Sequence, residues 1–251
     1  MEKIFDNKIV IVTGGSFGIG RATAVAFAKR GAKVFIADYI EDHETLDLIS
    51  EFKGIATFIK CDVSKDKEVK AMIEKTISVY GRLDYAFNNA GIEGSSATTH
   101  ECTEENWDHT IGVNLKGIWL CMKYEIQQML KQGKGAIVNT ASIAGLVGFQ
   151  GLPAYVASKH GIIGLTKTAA LEYAKSGVRV NAVCPGVIQT PMVDRMTGKK
   201  KEAEQQFASM EPVGRMGQPE EVANAVIWLC SDEASFVTGD AMAVDGGWIA
   251  Q

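Results

Sequence analysis

The sequence predicts an α/β domain of doubly wound type: seven parallel strands with helices on both faces of the sheet. Three observations carry this expectation. Short β-branched runs alternate with longer amphipathic stretches along the whole chain, the pattern of repeated strand–helix–strand units. The strand runs are nearly continuous in apolar residues, as strands covered on both faces must be. A glycine-rich turn follows the first of them, which separates this Rossmann-type arrangement from an eight-stranded β/α barrel of similar length.

The first strand spans 8–13 around Ile9-Val10-Ile11-Val12, and a helix over 19–30 follows, closed by Gly31. A second strand at 33–37 leads to Asp38, then come a helix at 41–52 and a third strand at 56–60. Ser64 is placed to cap a helix over 65–80, which Gly81 ends. The fourth strand, 83–88, precedes one long helix over 104–132; the fifth, 135–140, precedes a helix over 154–175. After the sixth strand, 178–183, the alternation lapses. Between 189 and 217 two segments containing Met and Phe flank Lys199-Lys200-Lys201 with no strand. Such an insertion behind a strand end reads as a loop that covers substrate. Pro219 suits the first turn of a helix at 220–230, and a seventh strand at 240–244 completes the sheet. No linker or internal repeat divides the chain, so 1–251 is expected to be one domain.

Composition narrows the function classes. A chain of 251 residues fits one large α/β domain. Its 46% apolar and 22% charged content is ordinary for a globular protein, and a net charge of −4 gives no electrostatic case for nucleic acid or an anionic membrane. The first apolar run is too short for a signal-peptide core or a membrane span, which points to a cytoplasmic protein. The five cysteines are scattered with no C-x-x-C, the usage of free thiols in a reducing compartment. The four histidines hold no i, i+4 pair, so no metal is expected.

Thr13-Gly14-Gly15-Ser16-Phe17-Gly18-Ile19-Gly20 joins the first strand to the first helix. Small residues let a backbone approach a pyrophosphate, and the helix amides beyond offer donors to it. Asp38 ends the second strand, where a carboxylate can accept both adenosine-ribose hydroxyls of NAD. Against the 2′-phosphate of NADP it would repel by about 4 kcal/mol at ~4 Å and an effective dielectric of ~20, roughly three decades of affinity. Neither Phe17 nor Tyr39 supplies an offsetting cation, so NAD is the expected cofactor. Asn88-Asn89-Ala90-Gly91, at the end of the fourth strand, brings small and amide side chains to the same crevice.

Tyr155 and Lys159 are one helical turn apart on one face. Ser142 follows the fifth strand and so shares the carboxyl edge with the cofactor turn, while Asn114 stands beside glycine in a stretch read as helix. In this order and spacing the residues resemble the short-chain dehydrogenase/reductase family, in its single-domain branch, over essentially the whole chain. The resemblance rests on the turn at 13–20, Asp62-Val63, the N-N-A-G run at 88–91, Asn114, Ser142, Tyr155 with Lys159, Pro185-Gly186 with Thr190, and Asp245-Gly246-Gly247.

The resemblance implies an oxidoreductase that interconverts a secondary alcohol and a ketone, with Tyr155 as acid/base and Ser142 orienting the substrate oxygen. Lys159 would hold the nicotinamide ribose and lower the tyrosine pKa, and Asn114 would keep a water in the proton relay. Gly14, Ser16, Phe17, Gly18, Ile19 and Gly20 would form the diphosphate side, with Asp38 and Tyr39 at the adenosine ribose. Asp62 and Val63 would meet adenine, Asn88 would line the adenosine-ribose side, and Val187, Ile188 and Thr190 would meet the nicotinamide carboxamide, with Ala90, Gly91, Pro185 and Gly186 also in the cofactor site. The chemistry agrees. A phenol with a pKa near 10 needs a fall of about 2–3 units to work near neutrality, roughly 3–4 kcal/mol, and neighbouring positive charge can supply it. Enoyl reductases of the superfamily space Tyr and Lys more widely, which disfavours carbon–carbon double-bond reduction here.

Leu146, Val147, Phe149, Met192, Met196 and Phe207 favour a compact hydrophobic or cyclic alcohol–ketone pair. Glu93 and Ser95 are candidates for a polar contact, and the 199–201 patch keeps 3-oxoacyl-carrier-protein reduction open as a competing activity. A redox-sensing NAD(H) binder is a further alternative, which an intact acid/base set opposes. Homotetramers are usual in the family; here the stretches 104–132 and 154–175 and the C-terminal segment would form the contacts.

Overall fold

A computed structural model describes residues 3–251. The chain runs β1 (Ile9–Thr13), α1 (Gly18–Lys29), β2 (Lys33–Asp38), α2 (Glu44–Ser50), β3 (Ile55–Lys60), α3 (Asp66–Tyr80), β4 (Tyr85–Asn88) and α4 (Glu104–Ile111). A π-helical turn, Gly112–Lys116, leads into α5 (Gly117–Gln132). Then follow β5 (Gly135–Thr140), α6 (Pro153–Tyr173), β6 (Val178–Pro185), α7 (Pro191–Thr197), α8 (Lys201–Met210), α9 (Pro219–Cys230) and β7 (Ala241–Val244). The seven strands form one parallel sheet in the order β3-β2-β1-β4-β5-β6-β7. This is the doubly wound fold the sequence predicts.

Alternation along β1 shows why both faces must be covered. Ile11 packs with Phe35, Met72 and Ile137 on one side, while Val10 and Val12 pack with Phe27, Val34 and Val226 on the other. Each fully buried aliphatic side chain is worth about 1.5–3 kcal/mol of transfer free energy, and neither cluster survives without its helix layer. The order reverses at β1: its neighbours are β2 and β4, so the crossovers leave from opposite sides. A crevice therefore opens past the carboxyl ends of β1 and β4, where Thr13 lies level with Asn88.

Four local expectations are corrected. Ser64 does not cap α3; its amide and hydroxyl both bond to Asp62 Oδ1 (2.9 and 2.7 Å), because a carboxylate two residues earlier offers a closer partner than the helix amides. The helix expected over 41–52 is only α2, since Asp42 is drawn to Arg21 (2.8 Å) and accepts from the Glu44 amide. The helix expected over 104–132 is interrupted by the π turn at Gly112–Lys116. Finally, 189–217 is not a plain loop. Pro191 starts α7 and the 201–210 stretch forms α8, joined to the body by the bridge between Ile188 and Gly217.

Candidate active site

The glycine turn packs α1 directly on β1. A Cβ on Gly20 would fall on the Gly14 carbonyl oxygen, so the helix can begin there only without a side chain. Gly18 has φ +49°, and a Cβ there would come within 3.0 Å of Thr190 Cγ2, which brings the first turn of α1 against the segment after β6. Phe17 is the N-cap, with no side-chain cap bond and no acidic residue in the first turn. The leading amides of α1 therefore remain available to an anion, and the positive end of the helix faces the crevice. Ser16 is buried beneath the turn and Ile19 packs into the core.

Asp38 is fixed at the tip of β2. Its Oδ2 accepts from the Ser16 amide (3.0 Å) and its Oδ1 from the Ile40 amide (3.1 Å). Each oxygen keeps a lone pair for a vicinal diol. Arg21 lies nearby but is held by Asp42 and Glu44, both at 2.8 Å. Tyr39 is exposed beneath the Lys60 ammonium, 5.9 Å from the ring centroid. Asp62 caps the turn after β3, while the Val63 side chain is buried against Gly117, leaving its main chain to the crevice.

The Asn-Asn pair after β4 divides its tasks by strand alternation. Asn88 is fully buried, its Nδ2 donating to Glu125 and Asn139 (both 3.0 Å), so the expectation that its side chain lines the crevice is corrected. Asn89 turns outward, donating to the Thr13 and Gly14 carbonyls (3.2 and 3.1 Å) and tying β4 to the glycine turn. Ala90 and Gly91 follow in the half-covered turn, Gly91 beside Asn114.

Tyr155, Ser142 and Lys159 meet past the carboxyl end of β5. Lys159 is buried and donates to the Thr140 carbonyl (2.8 Å), with its ammonium 5.4 Å from the Tyr155 ring centroid. That bond uses one of three ammonium donors; the other two suit a ribose diol. Burial pushes Lys159 down to about 8. Burial pushes the Tyr155 phenol up, the Ser142 hydroxyl at its side pulls it down, and the Glu93 charge pushes it further up. Burial is the largest influence on the phenol in the chain alone, while the Lys159 ammonium, 5.4 Å from its ring, keeps two donors for a further partner.

Asn114 lies in the π turn with its amide fully engaged. It accepts from the Ile92 amide (2.8 Å) and donates to the Ile92 carbonyl (2.9 Å) and Ser158 Oγ (3.2 Å). Both amide protons are spent, so a water at Asn114 can be held only as a donor, to the second lone pair of Oδ1 or to a main-chain carbonyl. Ser158 in turn donates to the Tyr155 carbonyl (2.7 Å) and steadies the turn of α6 that carries Tyr155. Beyond β6, Pro185 ends the strand and Gly186 lies against Asp245. The Val187 amide donates to Glu211 (2.7 Å), Ile188 is buried, and Thr190 precedes α7 with its hydroxyl donating to the Ile188 carbonyl (3.2 Å). Over the mouth, Arg195 of α7 binds the Glu93 carboxylate through Nε (2.8 Å) and Nη2 (3.0 Å), and Trp248 stacks on Phe149 at 5.1 Å.

The sequence reading missed Ser158, Arg195 and Glu211, and it gave Asn89 no role of its own within the 88–91 run. Strand alternation alone separates Asn89 from Asn88, and the 155–158 spacing places Ser158 one turn from Tyr155. Nothing local announces Arg195 or Glu211, whose partners are far away in the chain.

The residues present fit a dinucleotide: a helix end with vacant amides, a strand-end carboxylate and a buried ammonium with spare donors share one crevice. Fold and site together define a Rossmann-type oxidoreductase. A family model described as enoyl-(acyl carrier protein) reductase matches residues 14–249. The chain is 45% identical to the cyclohexanol dehydrogenase of Acinetobacter sp. (strain SE19), over the full length of both. It is 41% identical to the 3-oxoacyl-[acyl-carrier-protein] reductase of Thermotoga maritima, over 97% of this chain and 98% of that one. Among solved structures, levodione reductase superposes with a TM-score of 0.95 at 36% identity, covering 98% and 99% of the two chains. A 2-deoxy-d-gluconate 3-dehydrogenase from Agrobacterium tumefaciens with bound NADP gives 0.90 at 34%, over 98% of each. The chain belongs to the short-chain dehydrogenase/reductase family.

Proposed function

We propose that this protein is an NAD-dependent dehydrogenase that interconverts a compact, ring-bearing secondary alcohol and its ketone. The observation that carries the reading is the convergence of Tyr155, Ser142 and Lys159 on the edge that also holds the glycine turn and Asp38. When bound, the nicotinamide supplies the hydride site and, oxidised, a positive charge. Tyr155 takes the hydroxyl proton or returns it to the ketone oxygen, and Ser142 holds that oxygen in line. Lys159 binds the ribose through its two spare donors, and the π turn at Asn114 holds water for the proton. Burial raises the phenol, and positive charge entering the site with the cofactor would favour its deprotonated form.

NAD preference is supported by Asp38, oriented by two amides, and by the neutralised Arg21 beside it. The ring-bearing substrate is supported by the cyclohexanol dehydrogenase relative and the apolar residues after Ser142. The helices α7 and α8 serve as the substrate cover, the protein acts as a homotetramer, and its five unpaired cysteines suit a reducing cytoplasm. Among the described residues no helix is long and apolar enough to cross a membrane. The 3-oxoacyl reading is supported by the Thermotoga relative, and acyl thioesters in the same assay decide between them.

The test follows nicotinamide absorbance across cyclic and open-chain secondary alcohols and 3-oxoacyl thioesters, each with NAD(H) and NADP(H). Cyclic alcohols should be turned over with NAD favoured by at least two decades in kcat/KM. Tyr155→Phe should lose at least two decades of turnover while NADH still binds, as read by fluorescence. Near-wild-type turnover of that variant, or tight NADH binding with no substrate at all, would overturn the reading.

A further inference from the structure

We infer that Glu93 and Arg195 form a subsite for a second oxygen of the substrate, so that the preferred alcohol carries another hydroxyl or keto group away from the reacting carbon. The inference rests on the dehydrogenase reading above and deepens it. It begins with how firmly the Glu93 backbone is held. Asn114 takes both main-chain polar groups of Ile92, and Asn106 does the same to Ser95, accepting from its amide (2.8 Å) and donating to its carbonyl (3.1 Å). Between these two clamps stand Glu93 and Gly94. Gly94 has φ +71°, and a Cβ there would reach 2.6 Å from Thr110 Oγ1, so the turn presses against α4 with no room for a side chain. Four side-chain bonds thus aim one carboxylate.

That carboxylate is largely covered, with 23% of its side-chain surface exposed, and faces Arg195 on α7. The bidentate contact uses Nε and Nη2, whereas Nη1 has no hydrogen-bond partner among the described residues. Glu93 also lies within electrostatic reach of the Tyr155 phenol, whose proton its charge helps to retain. A half-exposed ion pair contributes little to folding, about 0–1 kcal/mol. Its chemistry suits recognition better. The pair is neutral overall, so it selects for a neutral group. A hydroxyl can donate to the carboxylate while accepting from the guanidinium, and a keto oxygen can accept from Nη1. The Ala97 amide donates to the Gly151 carbonyl (2.9 Å), which joins the Glu93 turn to the chain after Ser142; there Leu146, Val147 and Phe149 offer no side-chain hydrogen bond and Gln150 is the one amide, so the ion pair is the charged anchor available beside them.

The test compares kcat/KM for cyclohexanol with 1,4-cyclohexanediol, and for 2-hexanol with 2,5-hexanediol, at saturating NAD. Wild type should favour the diol of at least one pair tenfold or more. Glu93→Gln and Arg195→Met should bring that ratio within threefold of unity, chiefly by raising KM for the diol. Arg195→Lys, which keeps the charge and loses the fork, should fall between. A wild-type ratio near unity overturns the subsite and leaves the dehydrogenase standing. So does an equal loss on both members of a pair, which marks the ion pair as a strap for α7. Absence of turnover with every alcohol overturns the dehydrogenase reading and this one with it.

Discussion

Glu125 shows how much a single buried residue can hold. It lies on α5 with no exposed surface, accepts from Asn88 Nδ2, and its other oxygen has no partner; the same is true of Asn88 Oδ1. A proton kept on the acid turns one of these unpartnered acceptors into a donor, and burial pushes Glu125 up to about 8. The sign follows from linkage. The folded state holds this proton more tightly than the unfolded chain, so the stabilisation is complete below the unfolded value near 4.5, and it is lost as pH rises through about 8. Glu125→Gln supplies the donor permanently. Its melting temperature should fall less than that of wild type between pH 5 and 9, measured by differential scanning calorimetry; parallel curves would refute a neutral Glu125. Little of this was legible in the sequence. Glu125 reads as a surface acid on an amphipathic helix until Asn88, 37 positions earlier, is seen to face it.

At the scale of elements, the glycine turn and α1 are the most demanding joint. Gly20→Ala would drive a methyl group into the Gly14 carbonyl, and either α1 shifts away from β1 or the turn deforms. We expect a loss of roughly 1–3 kcal/mol, the scale of overpacking, together with at least tenfold weaker NADH binding by fluorescence titration. An unchanged affinity would show that the turn does not carry the diphosphate. The elements themselves were largely readable, because burial on two faces writes continuous apolar runs that no helix needs. The misreadings share a cause: side chains outbidding regular backbone. Asp62 captured Ser64, Arg21 drew Asp42 out of α2, and Asn114 spent its amide on Ile92 where a straight helix would leave it in solvent. The helices α7 and α8 escaped notice because they are short and carry few buried positions, so their periodicity is weak.

For the whole molecule, the exposed apolar side chains matter more than the core. Leu171 on α6 is 85% exposed and Trp119 on α5 is 46% exposed, both on the stretches expected to meet neighbouring copies. If the proposed assembly uses this face, Leu171→Glu should reduce the mass measured by light scattering at micromolar concentration relative to wild type, at little cost to the fold of each subunit. An unchanged mass would exclude that face from the assembly. The candidate site itself spans the molecule: Glu93 and Arg195 are 102 positions apart, and no local pattern joins them. Motif spacing exposes the Tyr155–Lys159 pair, which sits within one turn of helix, and hides the Glu93–Arg195 pair, which the fold assembles from the segment after β4 and from α7.

The stack of Trp248 on Phe149 gives the protein a built-in optical reporter. Trp107, Trp119 and Trp228 lie toward water, whereas the Trp248 indole nitrogen is buried without a partner. Its emission should lie to the blue of theirs, and a ligand that shifts the chain after Ser142 should change the colour of the fluorescence as well as its intensity.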